Sequence, residues 1–288
     1  MQQDIKRQRD LENSKCLYLC HGSHYTMLLM LQTYHHGDAS TPVRPLLIAH
    51  GLYGSGRNWN VIAKRMGVHR PVITVDMRNH GDSPHFATHT YHDMADDLSE
   101  TILNAHEGPI DVVGHSMGGK AAMMLALRHP ERVARLVVAD IAPVTYGHSQ
   151  IQYVHAMQRL TEADMTSRAS ADLALAAQVP DAALRAFLLQ SLDLQSIPPR
   201  WRLNLPVLEQ DMPQIIGWPA ITATFDRPTL FLSGAKSDYV KTDDRPQIKR
   251  LFPKARFAKI PGAGHWLHAE KPREFEAALE VFMPVATR

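Results

Sequence analysis

The chain alternates short apolar runs with longer stretches in which apolar residues recur at helical spacing. The six runs have strand length, and three of them carry no charge, as expected for strands buried on both faces of a parallel sheet. Each run ends in a polar or glycine-rich loop, and the runs are residues 45–49, 71–75, 110–113, 133–139, 228–232 and 255–260. Helical spacing covers residues 91–106, 117–129 and 272–282. This alternation predicts an α/β fold with a mostly parallel central sheet flanked by helices.

The alternation stops between residues 144 and 225, where three helical patterns follow one another at 151–160, 170–179 and 181–189. Ligands of open α/β sheets bind outside the carboxyl ends of the strands, and a late insertion would lie over that edge. We therefore expect residues 27–143 and 226–288 to form the core and residues 144–225 to form a helical lid.

Residues 1–26 are polar and show no clear period, whereas residues 27–34 predict a first strand that leads into a turn. We expect residues 1–26 to be an extension outside the fold. Met27 is then a candidate for the true first residue, a hypothesis that the intact mass of the natively expressed protein would test.

Composition and charge narrow the class of protein. The 288 residues are 44% hydrophobic, which is enough for a sizeable core. The 31 basic and 29 acidic residues give a formal net charge of +2 with no long block of either sign, which argues against a nucleic-acid partner. No apolar run is long enough for a membrane span, and the charged N-terminus does not fit a signal peptide. Cys16 and Cys20 suggest neither a disulfide framework nor a metal site, so a cytoplasmic location is expected.

The motif Gly-His-Ser-Met-Gly at residues 114–118 directly follows an apolar run and opens a helical stretch. In a G-x-S-x-G nucleophile elbow the serine occupies a strained turn from strand to helix, and the flanking glycines leave room for neighbouring backbone. Ser116 is therefore the predicted nucleophile.

A second loop, His-Gly-Leu-Tyr-Gly at residues 50–54, follows the run at 45–49. A glycine-rich loop in this place can point a backbone N–H into the site, and the residue after the nucleophile supplies another at a helix N-terminus. Leu52 and Met117 are therefore predicted to form an oxyanion hole.

His265 follows two nearby glycines after the last apolar run, where it can approach Ser116 as a general base. An acid between these two residues would complete the chain order serine, acid, histidine. Asp140 and Asp238 each follow an apolar run and satisfy this order. The order alone leaves the choice between them open.

Taken together, these motifs resemble the α/β hydrolases, and within them the YbfF-type esterases and their mitochondrial relatives. The resemblance covers about residues 27–285. It is carried by His-Gly-Leu at 50–52, Arg-Asn-His-Gly-Asp-Ser-Pro at 78–84, Val-Gly-His-Ser-Met-Gly-Gly-Lys at 113–120, Asp-Ile-Ala-Pro at 140–143, Trp-Arg-Leu-Asn at 201–204 and Gly-Ala-Gly-His-Trp at 262–266. It implies an α/β-hydrolase fold with a helical lid. It also implies a serine esterase that needs no cofactor or metal and acts on short to medium acyl esters or acyl-CoA thioesters.

The resemblance also bears on the acid. Most α/β hydrolases place it after the strand that follows the lid, which favours Asp238. YbfF-type esterases take it from the end of the preceding strand, in an Asp-Ile-x-Pro motif, which favours Asp140. Asp238 also stands one position beyond the commonest spacing from Gly234. We therefore favour Asp140, with Ser237 or Asp238 as an auxiliary contact.

Two other functions stay open. A carbon-carbon bond hydrolase uses a similar apparatus, and a hydrolase fold can also bind a ligand with little turnover. Ser116 excludes the usual dehalogenases and epoxide hydrolases, whose nucleophile is an aspartate. The presence of candidates for every part of the catalytic apparatus favours an enzyme over a binding protein.

Overall fold

A seven-stranded sheet forms the centre of the protein in a computed structural model that describes residues 16–21 and 24–285. The strands in chain order are β1 (Cys16–His21), β2 (His24–Leu29), β3 (Thr33–His36), β4 (Leu46–Ala49), β5 (Val72–Val75), β6 (Ile110–His115), β7 (Val133–Ala139), β8 (Leu192–Asp193), β9 (Arg200–Trp201), β10 (Thr229–Gly234) and β11 (Ala255–Ile260). The sheet order is β11, β10, β7, β6, β4, β5, β3, and only β3 is antiparallel to its neighbour. The predicted α/β fold with a mostly parallel sheet is therefore confirmed.

Helices cover both faces of the sheet. They are α1 (Asn60–Met66), α2 (Tyr91–Ala105), α3 (Met117–Arg128), α4 (Ile151–Gln158), α5 (Arg168–Leu175), α6 (Ala182–Leu188), α7 (Leu205–Gln210), α8 (Met212–Ile216), α9 (Arg245–Leu251), α10 (Leu267–Glu270) and α11 (Pro272–Phe282). Short 3-10 helices lie at Gly56–Trp59, Pro130–Arg132, Asp164–Thr166, Leu189–Ser191 and Thr242–Asp244.

The sheet is buried because two apolar clusters lie on its opposite faces. One contains Met94 of α2 and Leu98 of the same helix, and the other contains Ile62 of α1 and Phe275 of α11. Strands β4, β5, β6 and β10 are consequently buried at every position. The carboxyl ends of the parallel strands meet at one edge, where such sheets bind ligands.

The start of the sheet differs from the prediction. Residues 27–34 are predicted as one strand, but the structure has a break between β2 and β3. The break follows from Gln32, whose N–H donates to Ser83 Oγ at 2.8 Å and whose carbonyl accepts the Asp76 N–H at 2.9 Å. These bonds redirect the backbone toward the loop after β5.

Strands β1 and β2 pair antiparallel as a separate two-stranded sheet. The predicted extension over residues 1–26 falls partly on residues 1–15 and 22–23, which lie outside the described residues. Its boundary therefore stays a prediction.

The segment between β7 and β10 forms α4 to α8 and the small antiparallel pair of β8 and β9. The helices predicted at 151–160, 170–179 and 181–189 are present as α4, α5 and α6, each a few residues shorter. The sequence does not predict α7, α8 or the β8 and β9 pair, because such short elements show no clear period. The role of residues 144–225 as a lid stays a prediction.

Candidate active site

Ser116 lies at the sharp turn between β6 and α3, with a φ of 52° and a ψ of −119°. A non-glycine residue with this backbone conformation is strained. Its N–H donates to the Ala139 carbonyl of β7 at 3.0 Å, which helps to hold it there. Two glycines permit the turn: a Cβ on Gly114 would lie 2.2 Å from the Gly118 oxygen, and a Cβ on Gly118 would lie 2.4 Å from the His50 oxygen. The elbow motif therefore reflects backbone crowding.

A continuous series of hydrogen bonds leads from Ser116 to a buried carboxylate. The Ser116 hydroxyl and His265 Nε2 are 3.0 Å apart, and His265 Nδ1 lies 2.7 Å from Asp140 Oδ2. With the proton on Nδ1, the imidazole donates to Asp140 and accepts from Ser116. This arrangement is the one that serine hydrolysis requires of nucleophile, base and acid.

Asp140 follows β7 directly and is fully buried. Its own φ is 53°, so it too has a left-handed backbone. Its Oδ1 accepts the Gly234 N–H at 3.0 Å, and its Oδ2 accepts the Ser237 hydroxyl as well as His265. Three donors thus compensate for the burial of this carboxylate and fix its direction.

Asp238, the other candidate acid, is exposed on the loop after β10. It makes no hydrogen bond to His265 within residues 24–285. The neighbouring Ser237 points inward instead, because its N–H donates to the Gly234 carbonyl at 3.1 Å in a tight turn. The structure therefore brings Asp140 and Ser237, rather than Asp238, to the imidazole side of the site.

The His265 imidazole is held by aromatic neighbours that the sequence does not indicate. The Tyr239 ring is stacked on it at a centroid distance of 3.9 Å. On another side, His115 Nε2 lies 2.9 Å from the His265 carbonyl oxygen. Burial lowers the pKa of His115 well below its usual value, so this ring stays neutral. Its place inside the elbow motif is the only sequence signal that could have identified it.

Leu52 and Met117 both line the cavity above Ser116. The Leu52 N–H donates to no group in the described part of the chain. The Met117 N–H is the first of α3 and has no acceptor within its helix by position. The two residues predicted to form the oxyanion hole therefore both lie at the site, and the role of their N–H groups stays a prediction.

Two buried neutral histidines, His50 and His80, hold the backbone in and around the loop of residues 50–54. His50 Nδ1 donates to the Gly51 carbonyl at 2.7 Å, and its Nε2 accepts the Met77 N–H at 2.9 Å. His80 Nε2 accepts the Tyr53 N–H at 3.2 Å. Burial lowers the pKa of His50 to about 4 and that of His80 to about 3. Both rings are therefore neutral at neutral pH, as an accepting Nε2 requires.

A cavity of about 110 Å³ opens above Ser116 and His265. Its floor is the loop of residues 50–54 and the elbow, and its roof comes from the segment between β7 and β10. The roof residues are Tyr146, His148, Gln150, Leu184, Phe187, Ile215 and Ile216. An enclosed cleft whose exposed lining is mostly apolar is typical of a small-molecule site.

Within residues 16–21 and 24–285, no cluster of three or more His, Cys, Asp or Glu side chains is arranged to hold a metal ion. Over the same part of the chain, no helix has the length and apolar character needed to cross a membrane.

Comparison with known proteins places these observations in context. Residues 44–272 match the family model described as the alpha/beta hydrolase fold. The sn-1-specific diacylglycerol lipase ABHD11 of Danio rerio is 40% identical over 259 residues, covering 87% of this chain and 82% of that protein. Esterase YbfF of Escherichia coli strain K12 is 39% identical over 231 residues, covering 79% of this chain and 88% of that protein. The solved structure of a marine microorganism esterase has a TM-score of 0.84 and 36% identity, covering 89% of this chain and all of that one.

Proposed function

The chain belongs to the α/β-hydrolase family, and from this premise we propose that it is a serine esterase that cleaves short to medium acyl esters through an acyl-enzyme. The observation that carries the proposal is the unbroken hydrogen-bond series from Asp140 through His265 to Ser116 beneath an apolar cavity. The similarity to proteins named as an esterase and a diacylglycerol lipase supports an ester as the bond that is cleaved.

In the first half-reaction His265 Nε2 takes the hydroxyl proton as Ser116 Oγ attacks the acyl carbonyl carbon. Negative charge develops on the carbonyl oxygen, to which the Leu52 and Met117 N–H groups donate. One donor of this kind lowers the barrier by about 3 to 4 kcal/mol. The carbon–oxygen bond to the alcohol then breaks, and His265 gives its proton to the leaving oxygen.

In the second half-reaction a water molecule replaces the alcohol and loses a proton to His265 as it attacks the acyl carbon. The bond to Ser116 breaks, the serine regains a proton, and the carboxylic acid leaves. Asp140 acts through His265 in both halves, because it holds the Nδ1 tautomer and stabilises the imidazolium. Water is the only co-substrate of the whole reaction.

The same steps cleave a thioester, because the attacked acyl carbonyl is the same and a thiolate is a good leaving group. We therefore include acyl-CoA thioesters among the proposed substrates. We also propose a cytoplasmic location, because the chain has only two cysteines and they suggest no disulfide framework.

We further propose that residues 144–225 act as a lid. This segment supplies the roof of the cavity and contacts the loop of residues 50–54, where the Tyr53 hydroxyl donates to the Gln150 carbonyl at 2.8 Å. Closure of such a roof excludes water and orients the acyl chain.

Hydrolysis of p-nitrophenyl esters from acetyl to palmitoyl tests the proposal, alongside acetyl-, malonyl- and palmitoyl-CoA. The S116A variant serves as the blank, and a fluorophosphonate probe reports the nucleophile. We expect turnover and labelling of the wild type, and neither in the blank. Folded wild-type protein that neither cleaves these substrates nor takes the probe would overturn the proposal.

A further inference from the structure

Lys120 is a buried lysine on α3, one turn beyond Ser116, whose carbonyl accepts the Lys120 N–H at 3.1 Å. The side-chain ammonium donates to three backbone carbonyls: Val144 at 2.9 Å, Ile216 at 3.0 Å and Gly217 at 2.6 Å. No carboxylate pairs with it in the described part of the chain, and burial lowers the pKa of Lys120 to about 7. A lysine that is buried without a carboxylate partner is rare in proteins.

The three carbonyls belong to the two ends of one segment. Val144 is the first residue of the 144–225 segment. Ile216 and Gly217 lie at the C-terminal end of helix α8, near the other end of that segment. The two ends also bond to each other, because the Tyr146 N–H donates to the Ile216 carbonyl at 3.0 Å. Both ends of the 144–225 segment therefore hydrogen-bond to one side chain of the core, that of Lys120.

The chemistry of the contact matches an ammonium group. Three N–H donors face three carbonyl acceptors, and two of those carbonyls come from a helix end, where no intrahelical donor is available. The rings of Tyr146 and Tyr91 lie 4.8 Å and 5.6 Å from Nζ and add cation–π attraction. An apolar residue at position 120 would leave the partly buried carbonyls of Val144 and Gly217 without this donor, whereas the Ile216 carbonyl would keep the Tyr146 N–H.

Lys120, Tyr146 and Ile216 all line the cavity above Ser116. We propose that Lys120 is a positioning residue that ties both ends of the 144–225 segment to the nucleophile helix and thereby sets the width of the acyl cavity. This inference rests on the proposed esterase function and adds a determinant of acyl-chain selectivity. Loss of the tie lets the joined ends move away from α3, so that short acyl groups are held less well and longer ones are admitted.

The K120M variant tests the proposal, because methionine fills similar space and donates no hydrogen bond. The matched control is K249M, since Lys249 also donates to two carbonyls, those of Pro253 and Ala255, outside the segment. We expect KM for p-nitrophenyl butyrate to rise about tenfold in K120M with kcat within about threefold, the pattern of lost binding that the ground state and the transition state share. The preferred chain length should also increase, and K249M should match the wild type.

An unchanged KM and chain-length profile in K120M would overturn the inference, as would a loss in kcat with KM unchanged. Wild-type protein that is inactive and unlabelled by fluorophosphonate would instead overturn the proposed esterase function.

Hydrogen exchange of the wild type gives a second test that needs neither activity nor a folded variant. Above the pKa of Lys120 the amine has only two N–H donors for three carbonyls. Burial raises the pKa of the facing phenols of Tyr91 and Tyr146, so they stay neutral. After correction for intrinsic rates, peptides over residues 144–150 and 212–218 should lose protection relative to the core between pH 6 and pH 9. Equal protection at both pH values would overturn the inference.

Discussion

The ring of Tyr239 lies nearly parallel to the imidazole of His265, with planes 21° apart. The Tyr239 hydroxyl hydrogen-bonds with His148 at 3.0 Å, and the backbone N–H of Tyr239 donates to Ser237 Oγ at 3.3 Å. Ser237 in turn donates to Asp140. One short loop after β10 therefore contacts the base and the acid together, and connects both to the 144–225 segment.

Replacement of Tyr239 by leucine should lower kcat about two- to tenfold, because a stacked aromatic pair contributes about 0.5 to 1.5 kcal/mol. Y239F keeps the ring and loses only the hydroxyl contact to His148, so its loss should be smaller. Steady-state hydrolysis of the best p-nitrophenyl ester measures both variants. An equal loss in the two would show that the hydroxyl, and not the stacked ring, matters.

The two candidate acids are distinguished by the variants D140N and D238N. Because Asp140, and not Asp238, hydrogen-bonds His265 Nδ1, D140N should lower kcat by about 10⁴-fold through loss of the productive tautomer. D238N should stay within about twofold of the wild type, since the exposed carboxylate lacks that contact. Single-turnover acylation with p-nitrophenyl butyrate measures the step directly. The reverse result would assign the acid to Asp238.

The elbow should not tolerate a methyl group at Gly114. A Cβ at this position would lie 2.2 Å from the Gly118 backbone oxygen, and no side-chain rotamer change can relieve that clash. G114A should therefore unfold at lower urea concentration, with a loss of at least about 2 kcal/mol. Gly147 is the control, because a Cβ there meets nothing within 4 Å. Equal stability of G114A and G147A would contradict the crowding described for the elbow.

Acid should weaken the fold through the buried histidines. The pKa of His50 falls from 6.5 to about 4, so between these pH values the unfolded chain binds a proton that the native chain refuses. Stability is therefore full above about pH 6.5 and declines toward pH 4, by about 3 kcal/mol for this group alone. Urea unfolding at successive pH values measures the decline, and H50N should reduce it. A free energy of unfolding that stays constant from pH 7 to pH 4 would contradict the prediction.

The fold and the nucleophile could be predicted from the sequence because their signals are local. Buried parallel strands need continuous apolar runs, and the elbow motif occupies five consecutive residues, in which Gly114 is required by its contact with Gly118. The break at Gln32 could not be predicted in this way, since it depends on hydrogen bonds to a loop some fifty positions away.

The acid illustrates the limit more sharply. Asp140 and Asp238 both satisfy the chain order, and the sequence pattern alone cannot show which side chain turns inward after β10. The answer depends on a single tight turn at Gly234, which directs Ser237 rather than its neighbour toward Asp140. The contacts of Lys120 and Tyr239 were beyond prediction for the same reason, because their partners come from distant segments.

Four non-glycine residues in the described chain have a positive φ: Tyr53, Asn79, Ser116 and Asp140. Two of them are the proposed nucleophile and acid, and Tyr53 lies in the loop of residues 50–54. Each such residue costs about 1 to 3 kcal/mol, against a net stability of about 5 to 15 kcal/mol for a typical domain. A descendant that lost its catalytic role would be released from this demand. Substitution by glycine at these positions would then raise its thermal stability above that of its active ancestor. Glycine in place of Ser116 would therefore mark a relative that has lost its catalytic function.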